Sequence, residues 1–473
     1  MTTASKLALG IEERLLERNG TFEKFFAREA PRLAEASEAM SERFLQGGRL
    51  LAFGRGCYAT DAQHVSVEFV HPVIVGKRAL PALDLSSAFG PWLQTIVRPE
   101  DMVMGFGPPE GDPEVEAALQ FARSRKAMTF ALPGSVGSYY LESPLPDPFQ
   151  HQELLEILYH TLWESVHVFF EHRELGFDAG ASGFLYPFLG QEKQLTADLT
   201  SEVATSIEIK VREDATLRLR VAREESDRIG NAVLAMRARI ARGGKLILFG
   251  NGGSATDAND WALDCVVPPR GLSAIPAVSL SMEPANITAL ANDIGTDAIF
   301  LRQLIAQAAK EDIAVGISTS GGSRNIIAAL EEARKRGLLT VALLGYDGGE
   351  VVRRNVADFP IVVRSDYIPR IQEVQASIYH VMRGRWRFRR MAKLELYGTA
   401  ACPYTQDMRE WLEWNDRDFA EYDVEADAAA LERMQASTGQ NTVPVLMEDD
   451  QVLQIGWQGR GCVVYMKRDE QDK

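Results

Sequence analysis

The 473-residue sequence predicts an α/β protein: two doubly wound parallel-sheet domains in tandem, then a third, smaller domain at the C-terminal end. Three observations carry this. The segment "LLAFGRGCYATDAQHVSVEF" (50–69) recurs as "LILFGNGGSATDANDWALDC" (246–265), with Ala59-Thr60-Asp61-Ala62 falling on Ala255-Thr256-Asp257-Ala258. After each copy, short apolar runs alternate with stretches of helical period, the pattern of parallel strands joined by crossover helices. Beyond Trp386 the composition shifts to "RFRRMAKLELYGTAACPYTQDMREWLEWN", a strand followed by a Cys-Pro turn and a helix.

Each copy opens on a long charged helix ("FEKFFAREAPRLAEASEAMSERFLQGG" and "LRLRVAREESDRIGNAVLAMRARIARGG") that passes into an apolar strand, "RLLAFG" or "KLILFG", a Gly-rich turn and another helix. The second copy continues with "IPAVSLS", a helix through "FLRQLIAQAAK", strand "IAVGIS", helix "NIIAALEEARKRG", strands "LTVALLG" and "FPIVVR", and helix "IQEVQASIYHVMRGRW". The first follows more loosely, with "DMVMGFG" and "KAMTFALPG" as strands. The expected domains are 1–173, a Gly- and aromatic-rich connector at 174–194, 195–390, and 391–473.

A formal net charge of −15 argues against nucleic acid or an anionic membrane surface as the main partner and leaves small anionic ligands as the better candidates. No apolar run reaches the length of a membrane span, and the N-terminus turns charged too soon for a signal peptide, so a cytoplasmic protein is expected. Four cysteines (Cys57, Cys265, Cys402, Cys462) without CxxC spacing supply neither a disulfide framework nor a cysteine zinc site.

In "STSGGSRNII" a strand ends, small hydroxyl residues and glycines turn, and a helix begins near Arg324. Free amides, the positive helix end and the hydroxyls of Ser318, Thr319, Ser320 and Ser323 converge there, which suits a phosphate; the alternative is a Ser/Gly-rich helix cap without a ligand.

The second copy resembles the sugar isomerase (SIS) domain of the phosphoheptose isomerase family through five ordered motifs: "GNGGSATDA", "ANDIGTDAIF", "GISTSGGS", "GYDGGEV" and "IQEVQASIYH". The resemblance implies a flavodoxin-like sheet and a sugar-phosphate ligand, with Asn251 and Ser254 touching the sugar. In that family a His and a Glu four residues apart after the Gly-rich turn, and a Gln and a His eight apart on the last helix, hold zinc and move protons. The second copy has Asp260 and Asp264 at the first two positions, with Gln372 and His380 at the others, so this set is an alternative second metal site. The first copy supplies all four residue types, His64, Glu68, Gln152 and His160, and six of the seven histidines lie in it. Yet it reads "FGPPEGD" where the second has its Ser/Thr loop, and Cys57, which reads as a packing residue, replaces a turn glycine.

The two copies are therefore expected to form an internal pseudo-dimer with divided labour, metal and acid-base groups in the first and the phosphate cradle in the second; two such chains would make a homodimer. The resemblance implies aldose-ketose interconversion of a sugar phosphate, of the sedoheptulose 7-phosphate kind, through an enediolate, with Glu68 and His160 catalytic and zinc on His64, Glu68, Gln152 and His160. A non-catalytic pair that binds sugar phosphate and regulates the C-terminal domain is the alternative.

That domain, through "LELYGTAACPYT", "TVPVLMED" and "IGWQGRGC", resembles a glutaredoxin of the monothiol group related to selenoproteins, which implies a thioredoxin fold. Cys402 sits at a helix N-terminus, where the dipole favours thiolate. Pro444 matches the family's cis-proline, and Thr405 stands where dithiol relatives have a second Cys. The resemblance implies a thiol reductant as partner: Cys402 works through an adduct with glutathione or another low-molecular-weight thiol, or with Cys462 as a distant resolving thiol.

Overall fold

The long charged stretches that precede both copies fold as helices of nearly equal length, α1 (Thr3–Leu45, 43 residues) and α6 (Leu199–Ile240, 42 residues). Both start earlier than the sequence suggested, because the apolar stripe continues upstream: Ala8, Ile11 and Leu15 are buried in α1, and Val203, Ile207 and Val211 in α6. The two stripes cover each other. Gly230 lies against Ala8 and Ile11, Arg218 donates to Asn19 Oδ1 at 2.8 Å, and its guanidinium sits 5.1 Å from the Phe22 ring centre.

This computed structural model describes residues 3–74, 77–142, 144–173, 199–269, 271–385, 394–414, 417, 419–448 and 451–464, and the connector expected at 174–194 lies outside them. The chain divides into two units, Met1–Trp386 and Arg387–Lys473.

The first unit contains two five-stranded parallel sheets of identical order. Strands β1 (Leu50–Gly54), β2 (Ala82–Asp84), β3 (Met102–Phe106), β4 (Met128–Leu132) and β5 (Tyr139–Tyr140) run β2-β1-β3-β4-β5. Strands β6 (Leu246–Gly250), β7 (Ala277–Ser279), β8 (Ile313–Ser318), β9 (Leu339–Gly345) and β10 (Phe359–Val363) repeat it as β7-β6-β8-β9-β10. The central strands are buried throughout, as expected of parallel strands with helices on both faces. In this strand order, ligands bind where the carboxyl ends of the first and third strands diverge.

Connecting helices in the first repeat are α2 (Ala59–Val70), α3 (Phe89–Ile96), α4 (Pro113–Ser124) and α5 (Pro148–Arg173). The second has α7 (Gly253–Val266), α8 (Pro284–Asp293), α9 (Ile299–Gln307), α10 (Arg324–Lys335), α11 (Gly349–Arg353) and α12 (Ile368–Gly384). The "ND-G" segment ends α8 and turns at Gly295 (φ +117°) into α9, where the first repeat has α3 alone. This extra helix, together with α11, makes the second repeat longer than the first between its Gly-rich turn and its final helix.

Like pairs with like: α1 packs on α6, α2 on α7 and α5 on α12. Residues 149–170 of α5 and 369–383 of α12 are buried on every side, which obliges each polar group in them to find a partner. No described helix is long and apolar enough to cross a membrane.

The second unit is a mixed sheet of order β12-β11-β14-β15, built from β11 (Glu395–Gly398), β12 (Ala420–Asp423), β14 (Val445–Glu448) and β15 (Gln451–Ile455). A short pair, β13 (Thr442–Val443) with β16 (Cys462–Val463), and helices α13 (Pro403–Trp414) and α14 (Ala428–Thr438) complete it. The Val443–Pro444 peptide is cis.

Candidate functional site

Helices α5 and α12 each carry a Gln and a His eight residues apart, roughly 12 Å along the axis. Packed together between the repeats, they build two buried centres, and each helix gives its His to one and its Gln to the other.

At the first centre, His64 and Glu68 lie one turn apart on α2. His64 Nε2 is 3.4 Å from His160 Nε2, 3.8 Å from Glu68 Oε1 and 3.3 Å from Gln372 Nε2. The sequence grouped Gln152 with these residues; the structure brings Gln372, from the second repeat, instead. Gln152 Nε2 donates to Asp260 Oδ1 at 2.8 Å and to Asp61 Oδ2 at 3.1 Å. The physical reason is that α5 and α12 cross the repeat boundary, so a Gln two turns from its own His reaches the other repeat's α2 or α7.

The first centre has the chemistry of a metal site. Donor atoms of His64, Glu68 and His160 all lie within 4.8 Å of one another. Glu68 Oε2 and Gln372 Oε1 are buried without a hydrogen-bond partner, so this donor set leaves coordination capacity unused. Gly253, opening α7, leaves the room: a Cβ there would lie 2.0 Å from Gln372 Nε2 and 2.6 Å from His64 Nε2. Burial and the neighbouring His160 push His64 well below its usual pKa, and burial with Arg370 lowers His160 to about 3. Both imidazoles are thus neutral, the form that binds a cation. Burial and Glu164 raise Glu68 to about 8, so without a cation this carboxyl keeps its proton.

Sequence reasoning overlooked the residue that orients His160. Glu373 Oε1 is 3.0 Å from His160 Nδ1, which fixes the tautomer and turns Nε2 toward the centre. Glu373 is held in turn by Arg370. The signal was present: Gln-Glu occurs in both repeats, at 152–153 and 372–373, and Glu153 Oε1 stands 3.1 Å from His380 Nδ1 in the same role. Asp257 is also nearby, its Oδ1 3.8 Å from His64 Nδ1.

At the second centre, His380 Nε2 is 3.3 Å from both Asp260 Oδ2 and Asp264 Oδ2. Donors of these three are again within 4.8 Å, but Asp260 is already engaged, accepting from Thr60 (3.1 Å), Gln152 (2.8 Å) and Tyr379 (2.8 Å). Burial opposes charge on His380, yet Asp260, Asp264 and Glu153 outweigh it and hold its pKa well above the usual value, favouring the imidazolium. Cys57 occupies the position equivalent to Gly253, and burial together with Asp264, Asp260 and Asp61 pushes its thiol up.

The first centre adjoins the Gly-rich turn of the second repeat through Gly253, and that turn adjoins the Ser/Thr loop. Asn251 and Asn325 exchange reciprocal side-chain hydrogen bonds of 3.0 Å, and Ser254 is buried in the first turn of α7. Ser318 Oγ accepts from the Gly321 amide (3.2 Å) and lies 3.3 Å from Ser323 Oγ; Ser320 Oγ accepts from the Gly322 amide at 3.2 Å. Thr319 completes the turn. Ser323, the N-cap of α10, makes no side-chain bond to the helix; the Ile326 amide donates to Asn325 Oδ1 at 2.9 Å, which leaves those of Arg324 and Asn325 for an anion.

In the first repeat, Asp112 caps α4, accepting from the Glu114 (2.8 Å) and Val115 (3.2 Å) amides. Arg55, the counterpart of Asn251, binds Asp112 at 3.2 Å and Glu114 at 2.9 Å. Of the other described histidine side chains of this repeat, His151 meets Gly107 O at 3.2 Å, His167 lies 3.0 Å from Trp163 O and from Arg78 O, and His71 is exposed.

In the second unit Cys402 immediately precedes α13 and is 2% exposed. Its Sγ donates to Val443 O at 3.9 Å, just before cis-Pro444. Burial opposes ionisation, but Cys462 and the Tyr404 and Thr405 amides hold its pKa below that of an ordinary thiol. Thr405 is buried in the following turn.

Fold and site together define a SIS-domain protein with a glutaredoxin domain: the SIS domain model matches residues 212–345 and the glutaredoxin model residues 394–453. The paired parallel sheets make the SIS region a tandem of like halves. The phosphoheptose isomerase of Geobacter sulfurreducens is 42% identical over 182 residues, covering 36% of this chain and 94% of that protein. That of Helicobacter pylori is 42% identical over 143 residues, 29% of this chain and 72% of the relative. The phosphoheptose isomerase structure from Neisseria gonorrhoeae is 29% identical, with a TM-score of 0.36 over 38% of this chain and 96% of its own. The chain belongs to the phosphoheptose isomerase family.

Proposed function

We propose that this chain interconverts an aldose phosphate and a ketose phosphate, of the sedoheptulose 7-phosphate type, at one composite site per chain, and that its glutaredoxin domain performs thiol chemistry at Cys402. The observation that carries the reading is the contact of His64 and Gln372 with Gly253, which sets the acid-base centre of one repeat against the Gly-rich turn and Ser/Thr loop of the other.

In this mechanism the phosphate sits on the α10 N-terminus among Ser318, Thr319, Ser320 and Ser323, while Asn251 and Ser254 hold the sugar. Remote phosphate binding thereby orients the reacting carbons, a contribution realised as effective concentration. Glu68 carries the proton between neighbouring carbons; His160, its Nδ1 engaged by Glu373 and its Nε2 turned to the centre, serves as a ligand in place of the complementary-acid role that the resemblance implies. His64, Glu68, His160 and Gln372 would hold zinc, Gln372 replacing Gln152 in the expected set. Bound there, zinc supplies Lewis-acid polarisation of the carbonyl and stabilises enediolate charge. Glu68 has two oxygens for its two tasks: Oε1 faces His64, and Oε2 is unengaged. The second centre, with its engaged Asp260 and a cysteine in place of the glycine, has a structural role.

The test is proton exchange. Zinc-loaded protein is incubated with sedoheptulose 7-phosphate and other ketose phosphates in deuterium oxide, and deuterium at the sugar carbons is followed by NMR. Exchange that vanishes in Glu68→Gln is the expected result; tight binding of these sugars without exchange by the wild type would favour a sensor that regulates the thiol domain.

A further inference from the structure

A small cavity of about 10 Å³, room for roughly one water-sized particle, lies among α2, α5, α7 and α12. His64 of the first centre and Asp260 of the second both line it. Its walls carry four carboxylates, Asp61, Glu156, Asp257 and Asp260, each at most 4% exposed, and no lysine or arginine is among the described residues around it. Asp61 and Asp260 are engaged by the Gln152 amide. Glu156 Oε1 and Asp257 Oδ2 are instead buried without a hydrogen-bond partner. Asp61 and Asp257 are counterparts in the repeated "ATDA", but Glu156 has no such counterpart: counted from Gln152 and Gln372, its place in α12 falls to Ala376. The first repeat thus buries a carboxyl where the second has a methyl, and a buried carboxyl left unpaired is costly.

We propose that this cavity is a second cation position of the shared centre, where Glu156 and Asp257, one from each repeat, bind a divalent cation of the oxygen-preferring class: magnesium, manganese or calcium. Donor atoms of Glu156, Asp257 and His64 all lie within 4.8 Å of one another. That spacing is within the span of a single cation with bonds of about 2.1–2.4 Å. His64 divides the two positions. Its Nε2 faces His160 and Gln372, while its Nδ1 is 3.8 Å from Asp257 Oδ1. Asp257 therefore has one oxygen for the ring and the other, Oδ2, for the cavity. Donor chemistry sorts the ions: two imidazoles at the first centre suit zinc, whereas carboxylate oxygens suit the harder cations. A cation here gives both unpartnered oxygens a partner and offsets negative charge gathered away from water. The position goes beyond the proposed function, since it requires neither sugar nor turnover.

The probe is manganese, which is visible in electron paramagnetic resonance where zinc is silent. The full chain, loaded with one equivalent of zinc, is titrated with Mn²⁺; free Mn²⁺ is read from its solution spectrum and retained zinc by metal analysis. Wild type is expected to bind one Mn²⁺ per chain, to keep its zinc, and to give up the manganese to excess Mg²⁺ or Ca²⁺. Glu156→Ala, which copies Ala376, and Asp257→Asn are each expected to lose the manganese with zinc content unchanged, the retained zinc showing that the fold is intact. Asp264→Asn, at the second centre, is expected to bind manganese as wild type does. The proposal is overturned if wild type binds no Mn²⁺, if Mn²⁺ enters only by expelling zinc, or if binding is lost in Asp264→Asn and kept in Glu156→Ala. If wild type holds no zinc, the metal part of the proposed function falls, and the comparison of Glu156→Ala with wild type still decides this proposal.

Discussion

In the second repeat α10 opens on Ser323, whose side chain takes none of the helix amides, only that of Ile326 being bound, by Asn325; in the first, α4 opens on Asp112, whose carboxylate takes two amides and is clasped by Arg55. The same backbone feature is thus the proposed anion site in one half and an already satisfied one in the other, because the first half has built the anion into its own chain. The Gly-rich turns differ in a matching way: Gly253 lets His64 and Gln372 approach, whereas Cys57 stands in the equivalent position beside Asp260 and Asp264. On the proposed function, duplication left one complete site, assembled from the acid-base groups of one repeat and the ligand turns of the other.

The largest effect that would break this asymmetry comes from the proton-transfer group. Glu68→Gln should lower kcat by about 10²–10⁴-fold, while Asp264→Asn, its counterpart at the second centre, should leave kcat near wild type; steady-state turnover compares the two. Next is room at the turn. Gly253→Ala sets a methyl against Gln372 and His64 and should abolish stoichiometric zinc binding, measured by metal content of the purified chain, whereas Cys57→Gly should retain one zinc per chain.

The phosphate cradle gives the next effect. Ser323→Asp reproduces the Asp112 cap in the second repeat, and with one charged hydrogen-bonding position taken, sugar-phosphate affinity should fall by roughly 1.5–3 kcal/mol in calorimetry. A gentler probe is pH. Zinc must displace the proton that burial retains on Glu68 up to about pH 8. Metal affinity should therefore rise with pH below about 8 and level off above it, and proton release on zinc binding, measured in buffers of different ionisation enthalpy, should fall from about one per zinc below that pH toward zero above it. The smallest effect is on stability alone: Asp112→Ala removes the α4 cap and should cost about 1 kcal/mol in denaturant unfolding without changing turnover.

Much of this was legible in the sequence. The repeated turn "ATDA" located α2 and α7, the alternation of apolar runs fixed two parallel sheets, and "STSGGS" marked the open helix end. The pairing of glutamines was not. Spacing along one helix tells which side chains share that helix, not which neighbour they face, and α5 and α12 each face both repeats. Helical geometry held a clue: eight residues advance roughly 12 Å and rotate the side chain by about 80°, an awkward separation for two ligands of one ion. The roles of Glu153 and Glu373 were hidden for a related reason, since a carboxylate that orients a histidine on the other long helix has no local signature.

The central claim, one metal centre shared between repeats, is tested most directly by zinc affinity in two single variants, Gln372→Ala and Gln152→Ala, titrated against a competing chelator. The account predicts a loss of about tenfold or more for Gln372→Ala and wild-type affinity for Gln152→Ala. A loss confined to Gln152→Ala, or equal in both, would contradict it.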